Sequence, residues 1–103
     1  MSQIDAALEV EDQRRELRAQ AGQWLKERRE SEGLSQRELA GRVGMGYYTF
    51  VSQIEAGRGR IPPERYEAWA CALGLNAREF AMRMLGYYEP LTYQLIFGER
   101  AAS

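Results

Sequence analysis

The sequence has no histidine and only one cysteine, Cys71. A lone cysteine closes no internal disulfide, and without histidine the commonest zinc ligand and the commonest general base are both missing. No nucleophile–base pair or metal-ligand set stands out in what remains, so neither enzymatic activity nor a metal or cofactor is expected. Long apolar runs are lacking too. None approaches the roughly 18 residues that cross a bilayer, and no charged segment followed by an apolar block opens the chain. A cytoplasmic protein without membrane attachment is expected. Net charge is also small, -1 over 103 residues, which at first argues against a nucleic-acid partner.

The distribution of charge argues the other way. Residues 1 to 12 carry four acidic side chains (Asp5, Glu9, Glu11, Asp12) and no basic one. Residues 13 to 60 carry ten basic against six acidic, and residues 61 to 103 four against five. The positive charge is concentrated in the middle, and a modest basic patch on a near-neutral protein is compatible with DNA. The length suits one small domain, and the hydrophobic share of 45% supports a real core.

Residues 1–11, weakly periodic and acidic, read as a flexible acidic tail, the alternative being the start of a long helix. From Asp12 good helix formers dominate, and Leu17, Ala21, Trp24, Leu25 and Arg28 keep helical spacing up to Gly33. Trp24 is a core anchor on this reading. Ser35 and Glu38 fit a capping box that opens a second helix, with Leu39, Ala40 and Val43 inward and Gln36, Arg37 and Arg42 outside. Gly44-Met45-Gly46 is a turn. A third helix begins near Tyr47 and ends at Gly57; Tyr47, Phe50, Val51 and Ile54 form its inward stripe. Tyr48, Thr49, Ser52 and Gln53 then face outward, a surface that donates and accepts hydrogen bonds without net charge, as a reader of base edges does.

After the basic loop Gly57 to Arg60, a fourth helix starts near Pro63 and carries Tyr66, Trp69, Ala70 and Leu73 inward, with Cys71 inert beside them. Asn76 and Glu79 form a second capping-box pattern, opening a fifth helix that carries Phe80, Met84 and Leu85 inward until Gly86. Five short helices with short links imply a compact all-α bundle over residues 12–86. Residues 87–103 are a C-terminal extension in which Tyr87, Tyr88, Leu91, Tyr93, Leu95, Ile96 and Phe97 are apolar or aromatic. After Pro90 the pattern suits a short sixth helix or a strand, and Glu89 before Pro90 favours the helix. So much apolar surface either folds back on the bundle or meets a second subunit.

The residues LKERRESEGLSQRELA (Leu25 to Ala40), VSQIEAG (Val51 to Gly57), Pro62 and ALGLNAREF (Ala72 to Phe80) resemble, in order and spacing, the helix-turn-helix domain of the Xre family found in phage Cro and phage repressors. The resemblance covers about half of the chain. It implies that the second and third helices form the helix-turn-helix, with the third in the major groove. It places base contacts at Tyr48, Thr49 and Gln53, with Ser52 against a base or phosphate. Gln36 matches a glutamine that braces a phosphate and the recognition helix, and Arg29 and Glu55 match a salt bridge tying the first helix to the third. Arg37, Arg42, Arg58 and Arg60 are candidate phosphate contacts. Between Gly44 and Val51 the chain has one residue more than the family pattern, which leaves open whether Tyr47 or Tyr48 touches DNA.

The expected function is a sequence-specific regulator of transcription, a repressor acting as a homodimer on a two-fold DNA site, dimerised through Tyr87 to Phe97 and nucleoid-associated when bound. No small-molecule ligand is expected. The alternative is a protein-interaction module, an antitoxin-like partner whose hydrophobic C-terminal segment covers another protein. Alanine at Thr49 and Gln53 separates the two, since only a DNA reader loses its partner by it.

Overall fold

The computed structural model describes residues 3–98. Six α-helices follow one another without a strand among the described residues: α1 (Gln3–Ser31), α2 (Gln36–Arg42), α3 (Tyr48–Glu55), α4 (Tyr66–Ala72), α5 (Ala77–Tyr88) and α6 (Pro90–Phe97). A 3-10 turn, Pro63–Arg65, leads into α4.

The first helix starts at Gln3 rather than Asp12, so the segment read as a flexible tail is helical over its described part. Residues 3–11 contain neither glycine nor proline, and Ala6, Ala7, Leu8, Glu9 and Glu11 are good helix formers, so nothing interrupts a helix that continues into the packed part of α1. Missing apolar periodicity concealed the helix, because residues 6–16 are exposed and pack on no core. Further along, Ala21 and Leu25 are fully buried. Trp24 packs at the core's edge, its ring 6.1 Å from that of Phe80 and under the Arg83 guanidinium at 4.5 Å.

Local signals set the short helices. Ser35 Oγ accepts from the Glu38 N–H and Glu38 Oε1 from the Ser35 N–H, both at 3.0 Å, completing the capping box of α2. The bond from the Ser35 N–H holds the Glu38 carboxyl below its ordinary pKa, with the Ser35 hydroxyl adding to it. At the other end, Arg65 Nη1 donates to the carbonyls of Val43 (2.9 Å) and Gly44 (3.2 Å), so a side chain 22 residues on caps α2. Leu39, Ala40, Val43, Val51, Ile54, Trp69, Ala70, Leu73, Phe80 and Met84 form one core, joined by Leu34 and Ile61 from the loops. Cys71 is exposed.

The fifth helix does not stop at Gly86. It runs two residues further, and Tyr88 is buried in the core, where its Oη accepts from the Ile61 N–H at 3.4 Å. Glycine inside a helix costs roughly 1 kcal/mol, whereas burying a large side chain gains about 1.5–3 kcal/mol, so packing overrides the breaker. A Cβ at Gly86 would lie 3.5 Å from the Tyr93 ring, where α6 folds back on α5. The segment after Pro90 is a helix, and its Leu91 and Leu95 are 72% and 70% exposed.

Candidate nucleic-acid interface

The eight residues of α3 divide cleanly. Val51 and Ile54 are buried, Thr49 and Gln53 are exposed on the opposite face, and Ser52 is half-buried at its flank. Two members of the expected inward stripe point elsewhere. Tyr47 precedes the helix as its N-cap in extended conformation (φ -129°) and is 72% exposed. The turn therefore absorbs the additional residue. Phe50 stands about 100° round the wheel from Val51. It is 52% exposed beside a groove of about 410 Å³ whose other walls include Met45, Gln53, Ile54 and Pro62.

The back of α3 is held firmly. Arg29 Nε donates to Glu55 Oε2 at 2.7 Å and Arg29 Nη2 to Glu55 Oε1 at 3.0 Å, while Arg29 Nη1 donates to the Leu34 carbonyl at 2.7 Å. Gln36 Nε2 donates to Glu55 Oε1 at 3.0 Å. One carboxylate thereby ties α1 and α2 to the end of α3, and its bond to Arg29 raises the guanidinium pKa above its ordinary value. The seat beneath leaves no spare room. A Cβ at Gly22 would run into the Glu55 carbonyl, and Gly57 (φ 78°) would meet the Ala19 backbone at 2.9 Å. Only glycine fits at Gly57 on both counts.

The cationic candidates differ in availability. Arg37 lies over the Tyr48 ring, 4.7 Å from its centroid, and leaves that ring 41% exposed against α2. Arg42 and Arg58 are exposed and make no ion pair among the described residues. Arg60 instead binds Glu89 at 2.8 Å and covers the Tyr88 ring at 4.9 Å, so the structure commits it to the bundle. Of the expected dimer contacts, Leu91, Leu95, Ile96 and Phe97 are exposed, and Tyr87 and Tyr93 are half-buried. Tyr88 is withdrawn into its own core, out of a second subunit's reach.

Two short helices joined by a tight turn, the second locked from behind with a polar front open to solvent, make a helix-turn-helix. The family model described as helix-turn-helix, of Xre/Cro-like type, matches residues 25–80. The chain belongs to this family. A comparison with the curated proteins found no match. As an Xre/Cro-like helix-turn-helix protein the chain is a DNA-binding transcription regulator, of a family that is not typically enzymatic. No helix among the described residues is long and apolar enough to cross a membrane.

Three residues of this helix-turn-helix escape a reading of the sequence. Phe50 keeps the period of the core stripe, although a wheel centred on Val51 and Ile54 places it at the edge. Arg65 gives no local signal, because its partners are carbonyls far away in sequence. Gly22 lies inside a good helical run, where an isolated glycine is tolerated and gives no sign of the Glu55 backbone that approaches it.

Proposed function

We propose that the protein is a repressor that binds a two-fold symmetric DNA site as a homodimer, with α3 in the major groove. The observation that carries this reading is the division of α3, an uncharged hydrogen-bonding front at Thr49 and Gln53 opposite a back locked by Glu55. A preorganised reading helix loses little freedom on binding. In this pose the Gln53 amide pairs with an adenine edge, the Thr49 methyl meets a thymine methyl, and Ser52 reaches a neighbouring base or phosphate. Tyr47, the more exposed tyrosine, enters the groove first. Tyr48, backed by Arg37, lies against the sugar–phosphate wall with its hydroxyl on phosphate.

Gln36, Arg37, Arg42 and Arg58 supply phosphate contacts. Arg60 joins them only by releasing Glu89. A single module of this size makes few base contacts, each worth about 1–3 kcal/mol, so two copies on two half-sites are the route to useful specificity. The exposed apolar side chains of α6 support dimerisation there. Repression follows from occupancy alone, by a cytoplasmic protein that is nucleoid-bound when active.

Selection from random duplexes followed by sequencing tests the proposal. The expected product is a palindrome with half-sites about one helical turn apart. Recovery of no motif, or of a single unpaired half-site, would overturn it. A second reading, an antitoxin-like partner whose α6 covers another protein, is favoured by the same exposed α6, and it gains if no duplex is enriched.

A further inference from the structure

Of the arginines proposed as phosphate contacts, Arg37, Arg42 and Arg58 make no ion pair among the described residues, whereas Arg60 is bound to Glu89 across 29 residues of chain. Arg60 ends the basic loop that leaves α3, and Glu89 is the corner residue between α5 and α6. The contact is a single bond, from Arg60 Nη1 to Glu89 Oε2 at 2.8 Å, and the two side chains are 43% and 47% exposed. A phosphate can therefore reach this guanidinium from solvent. Carboxylate and phosphate ask the same of it, a positive charge and N–H donors in a planar fork.

We propose that Glu89 is a built-in competitor of DNA phosphate, which occupies Arg60 in the free protein, yields it to the phosphate backbone on binding, and so lowers affinity for every duplex alike. The inference rests on the DNA-binding pose above, in which the loop after α3 meets phosphate, and it adds what restrains that contact. The geometry favours exchange. Glu89 uses one of the guanidinium's five donors, so a phosphate engages the others before the carboxylate leaves. The Tyr88 ring, 4.9 Å from Arg60 Cζ, holds the guanidinium meanwhile. Tyr88 is itself buried and accepts the Ile61 N–H at 3.4 Å, which keeps the loop in place when Glu89 lets go. The released carboxylate stays at the N-terminus of α6, where its side chain makes no capping bond and the helix dipole favours negative charge. An exposed pair is worth little, so Glu89 trims affinity rather than blocking binding. Phosphate is common to all sequences, so the trimming falls on unrelated DNA as much as on the target and leaves discrimination by Thr49 and Gln53 unchanged.

The test is fluorescence anisotropy of the full chain on the selected duplex and on an unrelated one at low salt. Wild type, Glu89→Ala, Arg60→Gln and the double variant are compared, with urea unfolding to confirm that all four are folded. Glu89→Ala should tighten binding to both duplexes by about two- to fivefold per subunit. In the Arg60→Gln background the same change should give a gain at least twofold smaller, because no guanidinium is left to release. Arg60→Gln added to Glu89→Ala should make the slope of log K against log salt shallower by about one. Equal gains in both backgrounds would reduce Glu89 to a distant charge, and no gain or a loss would make the pair a brace for the loop. Either result overturns the inference while the DNA-binding reading stands. If wild type binds neither duplex, both fall.

Discussion

Arg29 grips both oxygens of Glu55 across 26 residues of chain, and the side chains are only 9% and 4% exposed. A buried ion pair of this kind adds modest net stability when intact, but removing one partner strands the other charge, at about 3–5 kcal/mol. Glu55→Ala should therefore cost about that much in urea unfolding, more than an exposed ion pair would. The Arg29→Met/Glu55→Leu double variant should recover a large part of it. A double variant that loses the sum of the two single losses would show that the pair does not act as a unit.

Gly22→Ala tests the seat of the reading helix. Alanine gains roughly 1 kcal/mol in helix propensity over glycine, yet its Cβ would enter the Glu55 carbonyl, and forced overpacking costs about 1–3 kcal/mol. A net loss of stability is expected, together with weaker DNA binding as α3 is displaced. Gly41→Ala, where a Cβ meets nothing within 4 Å, is the control and should stabilise. If Gly22→Ala stabilises as much as Gly41→Ala, the close approach of α1 to α3 is wrong.

Thr49→Ala and Gln53→Ala should each cost about 1–3 kcal/mol of discrimination per half-site in fluorescence anisotropy, while stability moves by no more than about 0.5 kcal/mol. Arg58→Ala should act differently. It should weaken binding to all sequences alike and make the slope of log K against log salt shallower by about one for each phosphate left without its arginine. A change in the preferred sequence on Arg58→Ala would contradict a phosphate role.

Burial raises the Tyr88 hydroxyl pKa to about 12, with the bond from the Ile61 N–H partly opposing it. The folded value lies above the unfolded value of about 10, so folding favours the protonated phenol. That contribution is complete below about pH 10 and is lost as pH rises through 12, for a drop of roughly 2–3 kcal/mol. Tyr88→Phe should remove this alkaline loss. At neutral pH it should cost about 1–2 kcal/mol, because the Ile61 N–H is left without its acceptor. Unfolding curves at pH 8 and pH 11.5 provide the comparison, and an undiminished alkaline loss in the variant would assign it to another group.

The features legible in the sequence are those whose cause is local. Ser35 and Glu38 announce α2 because a capping box is complete within four residues, and Leu39, Ala40 and Val43 follow from its period. The Arg29–Glu55 tie is visible only through family resemblance, since nothing local joins residues 26 apart. Features decided by tertiary competition are hidden. The burial of Tyr88 carries α5 through Gly86, and a turn longer by one residue leaves Tyr47 outside the helix that its spacing predicts. The early start of α1 is hidden for the opposite reason: with no core beneath it, no apolar stripe marks it.

The division of α3 has an evolutionary consequence. Because Thr49 and Gln53 make none of the core contacts that Val51 and Ile54 make, the base-reading role proposed for them would let mutation explore new target sequences while selection for folding stays silent. On that proposal, descendants of this chain diverge in the DNA sequences they recognise within a few substitutions, on an unchanged scaffold.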